Sequence, residues 1–319
     1  MHLSRNAHPV GKAVEEFKMT LFRTLLFAPG SRAELLVKSQ GGQSDALIFD
    51  LEDSVPHNAK DEARRNVAQV LNEGLRKPMF LRINNPRAGD YQADLAVLAT
   101  QASRVHVMGI ILPKAELTSD IEQVGHALTD IESRFGLPLG SLKILPLVET
   151  CMGLRNTFDL ASVSNRVCGM SLASAEQGDF MVDLGGRWTP QSLALSYPRS
   201  KMVVDARAAG LQWLVDGVFM NLQDIEALRT ECQIARELGF VGKMAIHPTQ
   251  VEVMREVFSP SEAEVLYARG LLEAFKEAEA RGQGAVRYQG MMVDYANVRL
   301  AQRTLALVEA LRSEEHTSE

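Results

Sequence analysis

The chain has 319 residues, 46% hydrophobic and 23% charged, so it can bury a large core and is not a disordered chain. Its 34 Lys and Arg against 40 Asp and Glu leave a formal charge of -6, which argues against nucleic acid as a main partner. No apolar run approaches the roughly 20 residues of a membrane-spanning helix, so no membrane partner is expected.

Residues 1–20 mix Arg5, Lys12, Glu15, Glu16 and Lys18 and lack the apolar centre of a secretion signal. They read as an N-terminal arm, with Met19 an alternative start. From there, short β-rich apolar runs alternate with amphipathic stretches. Candidate strands are Leu21–Ala28, Ala46–Leu51, Met79–Ile83, Gly109–Pro113, Lys143–Glu149, Arg166–Leu172, Trp213–Val218 and Lys243–His247. Most are apolar throughout rather than alternately, the pattern of parallel strands buried on both faces. Between them the pattern predicts a helix over Ala59–Leu71 capped by Asn58. A second is expected over Asp120–Phe135, with Ser119 and Glu122 as a capping box. Two more are expected over Lys201–Ala209 and Asp224–Leu238. Cys151, Cys168 and Cys232 show no paired or metal-finger spacing, which predicts reduced thiols in a cytoplasmic protein.

Eight strand–helix alternations predict a (β/α)₈ (TIM) barrel over residues 21–258, since right-handed βα units curl until the sheet meets itself. An open doubly wound sheet is the alternative, but Ala28-Pro29-Gly30-Ser31-Arg32 is not its GxGxxG phosphate loop. After His247 the pattern turns helical. Ser259-Pro260-Ser261-Glu262 opens a helix to about Ala280, and a last helix ends near Leu311. Residues 259–311 read as a C-terminal helical extension or lid. The polar stretch 312–319 is unlike the rest and reads as a non-native tail.

Barrel enzymes carry their chemistry at the C-terminal ends of the strands. Those ends hold Asp50, Glu52 and Asp53, then Arg82, Lys114 and Glu116, then Glu149, then Glu176 and Asp179, and finally His247. Carboxylates converging at one mouth repel one another unless a cation joins them. Oxygen donors without a His/Cys cluster suit Mg²⁺, with Mn²⁺ as the alternative, rather than zinc.

With these blocks in view, the chain resembles the citrate lyase beta-subunit/malyl-CoA lyase group of the HpcH/HpaI aldolase superfamily. The likeness runs from about Phe22 to about Ala301. It is carried by Leu26-Phe27-Ala28-Pro29-Gly30-Ser31-Arg32, Asp50-Leu51-Glu52-Asp53-Ser54-Val55, Leu81-Arg82-Ile83-Asn84 and Leu112-Pro113-Lys114-Ala115-Glu116. Further blocks are Val148-Glu149-Thr150-Cys151-Met152-Gly153-Leu154, Asp179–Gly185, Gly239–Pro248 and Met292-Val293-Asp294. Each block alone is weak; their order and spacing carry the resemblance.

The resemblance implies a Mg²⁺-dependent carbon–carbon lyase cleaving a 3-hydroxyacyl thioester into an acyl thioester and a 2-oxo acid. It implies Glu149 and Asp179 as metal ligands, with Glu176 the alternative to Asp179. Arg82 would meet the oxygen of the cleaved fragment, and Glu52 would be the buried acid that positions it. Asp53 and Lys114 would serve substrate binding, Lys114 being equally readable as a structural ion pair. Asp294 would reach a neighbouring subunit's site from the lid as the acid/base group, the bland alternative being a helix cap. His247 is expected to close the last strand structurally or at the ligand rim. The substrate would be a CoA or acyl-carrier-protein thioester and the assembly a homotrimer or hexamer. Other readings are a citryl-acyl-carrier-protein lyase beta subunit, a thioesterase or malate-synthase-like enzyme, and a non-catalytic binding barrel.

Overall fold

A computed structural model of the protein describes residues 22–99, 106–189, 191 and 193–315. The arm at 1–20 lies outside the described residues, as do the side chains of the 312–319 tail. Eight strands form a closed parallel barrel: β1 (Thr24–Pro29), β2 (Ala46–Asp50), β3 (Met79–Arg82), β4 (Val107–Leu112), β5 (Lys143–Val148), β6 (Gly169–Leu172), β7 (Trp213–Asp216) and β8 (Gly242–Ala245). Each pairs with the next, and β8 returns to β1 through Thr24 opposite Lys243. All eight expected strands are therefore present. The sixth is shorter than expected, its first residues joined to β5 only by a bridge between Ile144 and Val167.

Side chains alternate between the barrel interior and the surrounding helices. The interior cluster holds Leu25, Ile48, Phe80, Ile111, Leu145, Trp213, Val215 and Met244. At the N-terminal end Phe22, Phe80 and Trp213 pack together, with ring centroids 5.4–6.2 Å apart. Glycine makes room for them on neighbouring strands. A methyl group at Gly169 would stand 2.3 Å from the Trp213 carbonyl oxygen, and one at Gly242 2.5 Å from that of Phe22. Outward residues pack under the helices, and there the wall also encloses charge. Arg199 and Lys243 share Asp216 and Glu231 at 2.6–3.0 Å, all four buried.

Two expected caps are not made. The helix after β2 is Lys60–Glu73, preceded by a 3₁₀ turn at His57–Ala59, so Asn58 does not cap it. The helix after β4 starts at Thr118, and its box runs through Asp120, whose carboxylate accepts the Leu117 N–H at 3.2 Å, not through Ser119 and Glu122. The expected Lys201–Ala209 helix extends back to Leu193 with Pro198 inside it, while the expected Asp224–Leu238 helix runs Ile225–Leu238 with Asp224 as its N-cap.

The C-terminal extension comprises helix Glu262–Ala280, a hairpin of β9 (Val286–Tyr288) and β10 (Met291–Val293), and helix Tyr295–Glu315. The hairpin was not expected from the sequence. The extension has its own cluster of Ala268, Leu271, Phe275, Val293 and Ala301. Ion pairing of Arg236 with Glu264 and a bond from Arg303 to Gln212 link it to the barrel.

Candidate active site

The mouth is built by strand parity. Asp50 and Arg82 stand opposite each other in the β2–β3 register, and both point inward at the top of the barrel. Arg82 donates through Nε and Nη2 to the two Asp50 oxygens, 2.7 Å each, a planar fork that fixes the guanidinium. Glu52 Oε2 lies 3.1 Å from Nη1, and the Phe27 ring lies 4.8 Å beneath the guanidinium carbon. Burial opposes the Arg82 charge, but Asp50, Glu52 and Glu149 outweigh it and hold its pKa above the ordinary value. Glu52 holds Arg82 as expected, and Asp50, through its two bonds, holds it more closely still. Asp50 was missed as a site residue, although register and parity mark it. Ser54 donates to the same Asp50 carboxylate.

Asp53, Glu149 and Asp179 come from the loop after β2, the end of β5 and the helix Asp179–Leu184, and offer oxygens within 4.8 Å of one another. Glu149 is buried, and its Oε2 has no hydrogen-bond partner. Burial, then the negative charge of Glu52, push its pKa up to about 8. A buried orphan carboxylate oxygen facing two further acids matches an all-oxygen divalent site, so the residues fit Mg²⁺. Asp53 enters this cluster, a closer association than its expected substrate-binding place.

Lys114 has a left-handed backbone (φ 48°), held by Asn85 and Arg87 donating to its carbonyl oxygen at 3.2 and 2.7 Å. The turn aims Nζ into the cluster, 2.9 Å from Glu52 and 3.0 Å from Asp179, with Asp53 and Glu149 at 3.6 and 3.8 Å. Burial disfavours its charge, but the acids raise its pKa well above the usual lysine range. Lys60 donates to the Leu51 and Glu52 carbonyls and to Asn84 at 2.7–3.0 Å, anchoring the loop that carries Glu52 and Asp53.

Three candidate residues lie outside this cluster, of which only Glu176 was expected in it. Glu176, the alternative ligand, lines a separate small cavity with Trp188, Phe219, Asp224 and Glu231. His247 is exposed, and its ring caps the turn Pro248–Gln250, Nδ1 accepting the Thr249 N–H at 3.3 Å with the Thr249 hydroxyl 2.9 Å away. Asp294 caps the last helix, accepting the Ala296 N–H at 2.8 Å, and does not line this chain's mouth.

The mouth opens on a cavity of about 500 Å³. Asp50, Asp53, Arg82, Glu149 and Asp179 line one side, and Phe27, Leu147, Ala173, Gly217, Met244 and Ile246 are among those lining the rest. This is a one-sided charged pocket at the catalytic end of a barrel, the framework of an enzyme that polarises one end of a small acid.

The chain belongs to the HpcH/HpaI aldolase/citrate lyase family, which it matches over residues 23–248. It is 36% identical over 292 residues to a (3S)-malyl-CoA thioesterase of Cereibacter sphaeroides, covering 91% of this chain and 95% of that protein. It is 31% identical over 303 residues to the human mitochondrial citramalyl-CoA lyase, covering 91% and 86%. The crystal structure of CitE from Mycobacterium tuberculosis in complex with magnesium, acetoacetate and coenzyme A superposes with a TM-score of 0.72 at 26% identity, covering 90% of this chain and 98% of that one. Family and relatives together make the chain an enzyme of the CoA-ester lyase kind.

Proposed function

We propose that the protein is a Mg²⁺-dependent lyase that cleaves a 3-hydroxyacyl-CoA of the malyl, citramalyl or citryl type into an acyl-CoA and a 2-oxo acid. The carrying observation is the convergence of Asp53, Glu149 and Asp179 within 4.8 Å beside the forked Arg82 guanidinium. Glu149 and Asp179 would hold the cation, with Asp53 beside them. Mg²⁺ held there would act as a Lewis acid on the 3-hydroxyl oxygen, favouring the alkoxide that must form, its proton passing to a nearby carboxylate, before the carbon–carbon bond breaks and its electron pair moves into the thioester enolate. Arg82, immobilised before substrate arrives, would donate to that same alkoxide oxygen without reorganising, stabilising the charged species from which cleavage proceeds. Lys114 and Asp53, both within the acid cluster, are assigned to substrate binding, with Lys114 turning from the acids to the substrate once the cation is held.

Asp294 is assigned to protonating the thioester enolate in a neighbouring copy's mouth, within a homotrimer or hexamer. The extension's outer face fits burial against another copy: Leu266, Met292 and Leu300 are 73%, 72% and 63% exposed. We place the enzyme in the cytoplasm, consistent with free thiols at Cys151, Cys168 and Cys232. An acyl-carrier-protein thioester is the alternative substrate, after the citrate lyase beta subunits among the relatives. A thioesterase outcome is the second reading, because the 36%-identical relative carries that name.

Purified protein with Mg²⁺ should release glyoxylate, pyruvate or oxaloacetate from the matching CoA ester, and EDTA should stop it. Free CoA without a prior oxo acid would instead support the thioesterase. No turnover of any ester, with no Mg²⁺ binding, would overturn the proposal. Mixing inactive Asp294→Asn with inactive Glu149→Gln subunits should restore part of the activity; sites built within single chains would stay dead.

A further inference from the structure

We propose that Asp183 is a positioning residue that fixes the spacing of Asp179 and Glu149, an inference resting on the metal reading above. Asp179 opens a helix of only six residues, Asp179–Leu184, too short to hold its own shape without anchors. Phe180 and Met181 pin one face of it into the core. The other face carries Asp179 and, one turn later, Asp183, on the same side of the helix.

The Asp183 carboxylate accepts the backbone N–H of Cys151 at 2.6 Å. Cys151 is the first residue of helix Cys151–Arg155, so its N–H has no partner within that helix. It also lies two residues beyond Glu149, just after the end of β5. The bond closes a ring of structure: Glu149, Thr150, Cys151, across to Asp183, and back along one helical turn to Asp179. Thr150 is itself held on both sides, its hydroxyl accepting the Gly153 N–H at 3.1 Å and donating to Glu116 at 2.7 Å. The half of the ring carrying Glu149 is therefore rigid, and Asp183 ties the half carrying Asp179 to it. Without the tie, Asp179 keeps its ion pair with the half-exposed, flexible Lys114 side chain and the non-directional apolar contacts of Phe180 and Met181, but loses its link to the segment that carries Glu149.

Asp183 is exposed, so its loss exposes no core and leaves no buried polar atom of its own. A role limited to global stability would be small. The effect belongs in cation affinity, because ligand spacing is what a small divalent ion selects.

The test compares wild type, Asp183→Ala and Asp183→Asn by calorimetric titration with Mg²⁺ and by thermal unfolding in EDTA. Asp183→Ala should weaken Mg²⁺ binding by roughly tenfold or more, the loss typical when a partner that orients a ligand is removed, with the EDTA melting temperature nearly unchanged. Asn keeps a carbonyl acceptor and should recover most of the affinity. An unchanged Mg²⁺ affinity in Asp183→Ala overturns the proposal, as does a large fall in the EDTA melting temperature that Asn does not rescue. A wild type that fails to bind Mg²⁺ overturns the metal reading instead. Positioning is then read from amide hydrogen exchange, where Asp183→Ala should speed exchange at Cys151 and across 179–184, and unchanged exchange at both overturns it.

Discussion

The two halves of the barrel mouth sit at one level of one sheet and are opposites. On β2, β3 and just past β5 the inward positions are Asp50, Arg82 and Glu149; on or just past β1, β6, β7 and β8 they are Phe27, Ala173, Gly217 and Ile246. The first half crowds charges into a space where each is stable only through the others. The second offers small or apolar groups and thereby leaves the cavity. The contrast teaches how the barrel divides its mouth: one half gathers charge, and the other leaves apolar space beside it. Phe27 joins them, apolar itself yet lying under the Arg82 guanidinium.

Breaking the charged half should have the largest effect. Glu149→Gln removes the buried acid proposed to hold the cation, and Mg²⁺-dependent turnover should fall by about 10³ or more, beyond the loss typical of one transition-state donor. Steady-state assay across Mg²⁺ concentrations reads it; activity within tenfold of wild type would remove Glu149 from the metal site. Arg82→Lys keeps the charge but loses the fork to Asp50, and kcat/KM should drop by about 10²–10³. A near-normal rate would mean that Arg82 only braces the wall.

The apolar half should respond more mildly and in a different parameter. Ala173→Leu narrows the cavity, so KM for esters bearing an alkyl branch should rise by about 10- to 100-fold while Mg²⁺ affinity holds. A loss of Mg²⁺ affinity instead would show that the halves are not separable.

The smallest expected effect is on stability. Glu149 has its pKa raised from the ordinary 4.5 to about 8 in the folded chain, chiefly by burial. Between those values the folded state holds a proton that the unfolded state releases. The stabilisation is therefore complete below the lower value and lost as pH rises through the upper one. Melting temperature in EDTA should accordingly fall as pH rises across this window, and Glu149→Gln should flatten the fall. A flat wild-type profile would contradict the burial of that charge.

Much of this plan is legible in sequence because buried parallel strands are continuous apolar runs with polar ends. Those ends located Glu52, Asp53, Arg82, Lys114, Glu149 and Asp179 before any geometry was known. Helices such as Ala33–Ser39, Thr157–Ser162 and Asp179–Leu184 escaped because six or seven residues give under two turns of periodicity. The start of Leu193–Ala208 escaped because Pro198 signals a break that the fold absorbs. Asp50 stands among those ends too but carries no role in the sequence reading, for another reason. A carboxylate inside an apolar strand explains itself only once the register sets Arg82 opposite it. The same holds for Asp183, whose partner is a backbone N–H on a distant segment.

The aromatic plug of Phe22, Phe80 and Trp213 has a consequence for access. With the far end of the barrel filled by these rings, the cavity is reached from the end where the carboxylates stand, and Phe80, two residues before Arg82 on the same strand, couples the packing at the floor to the placement of the guanidinium at the mouth. Measuring product inhibition patterns for both fragments should then show whether this single approach imposes an order on their release; competitive inhibition by both fragments would show that it does not.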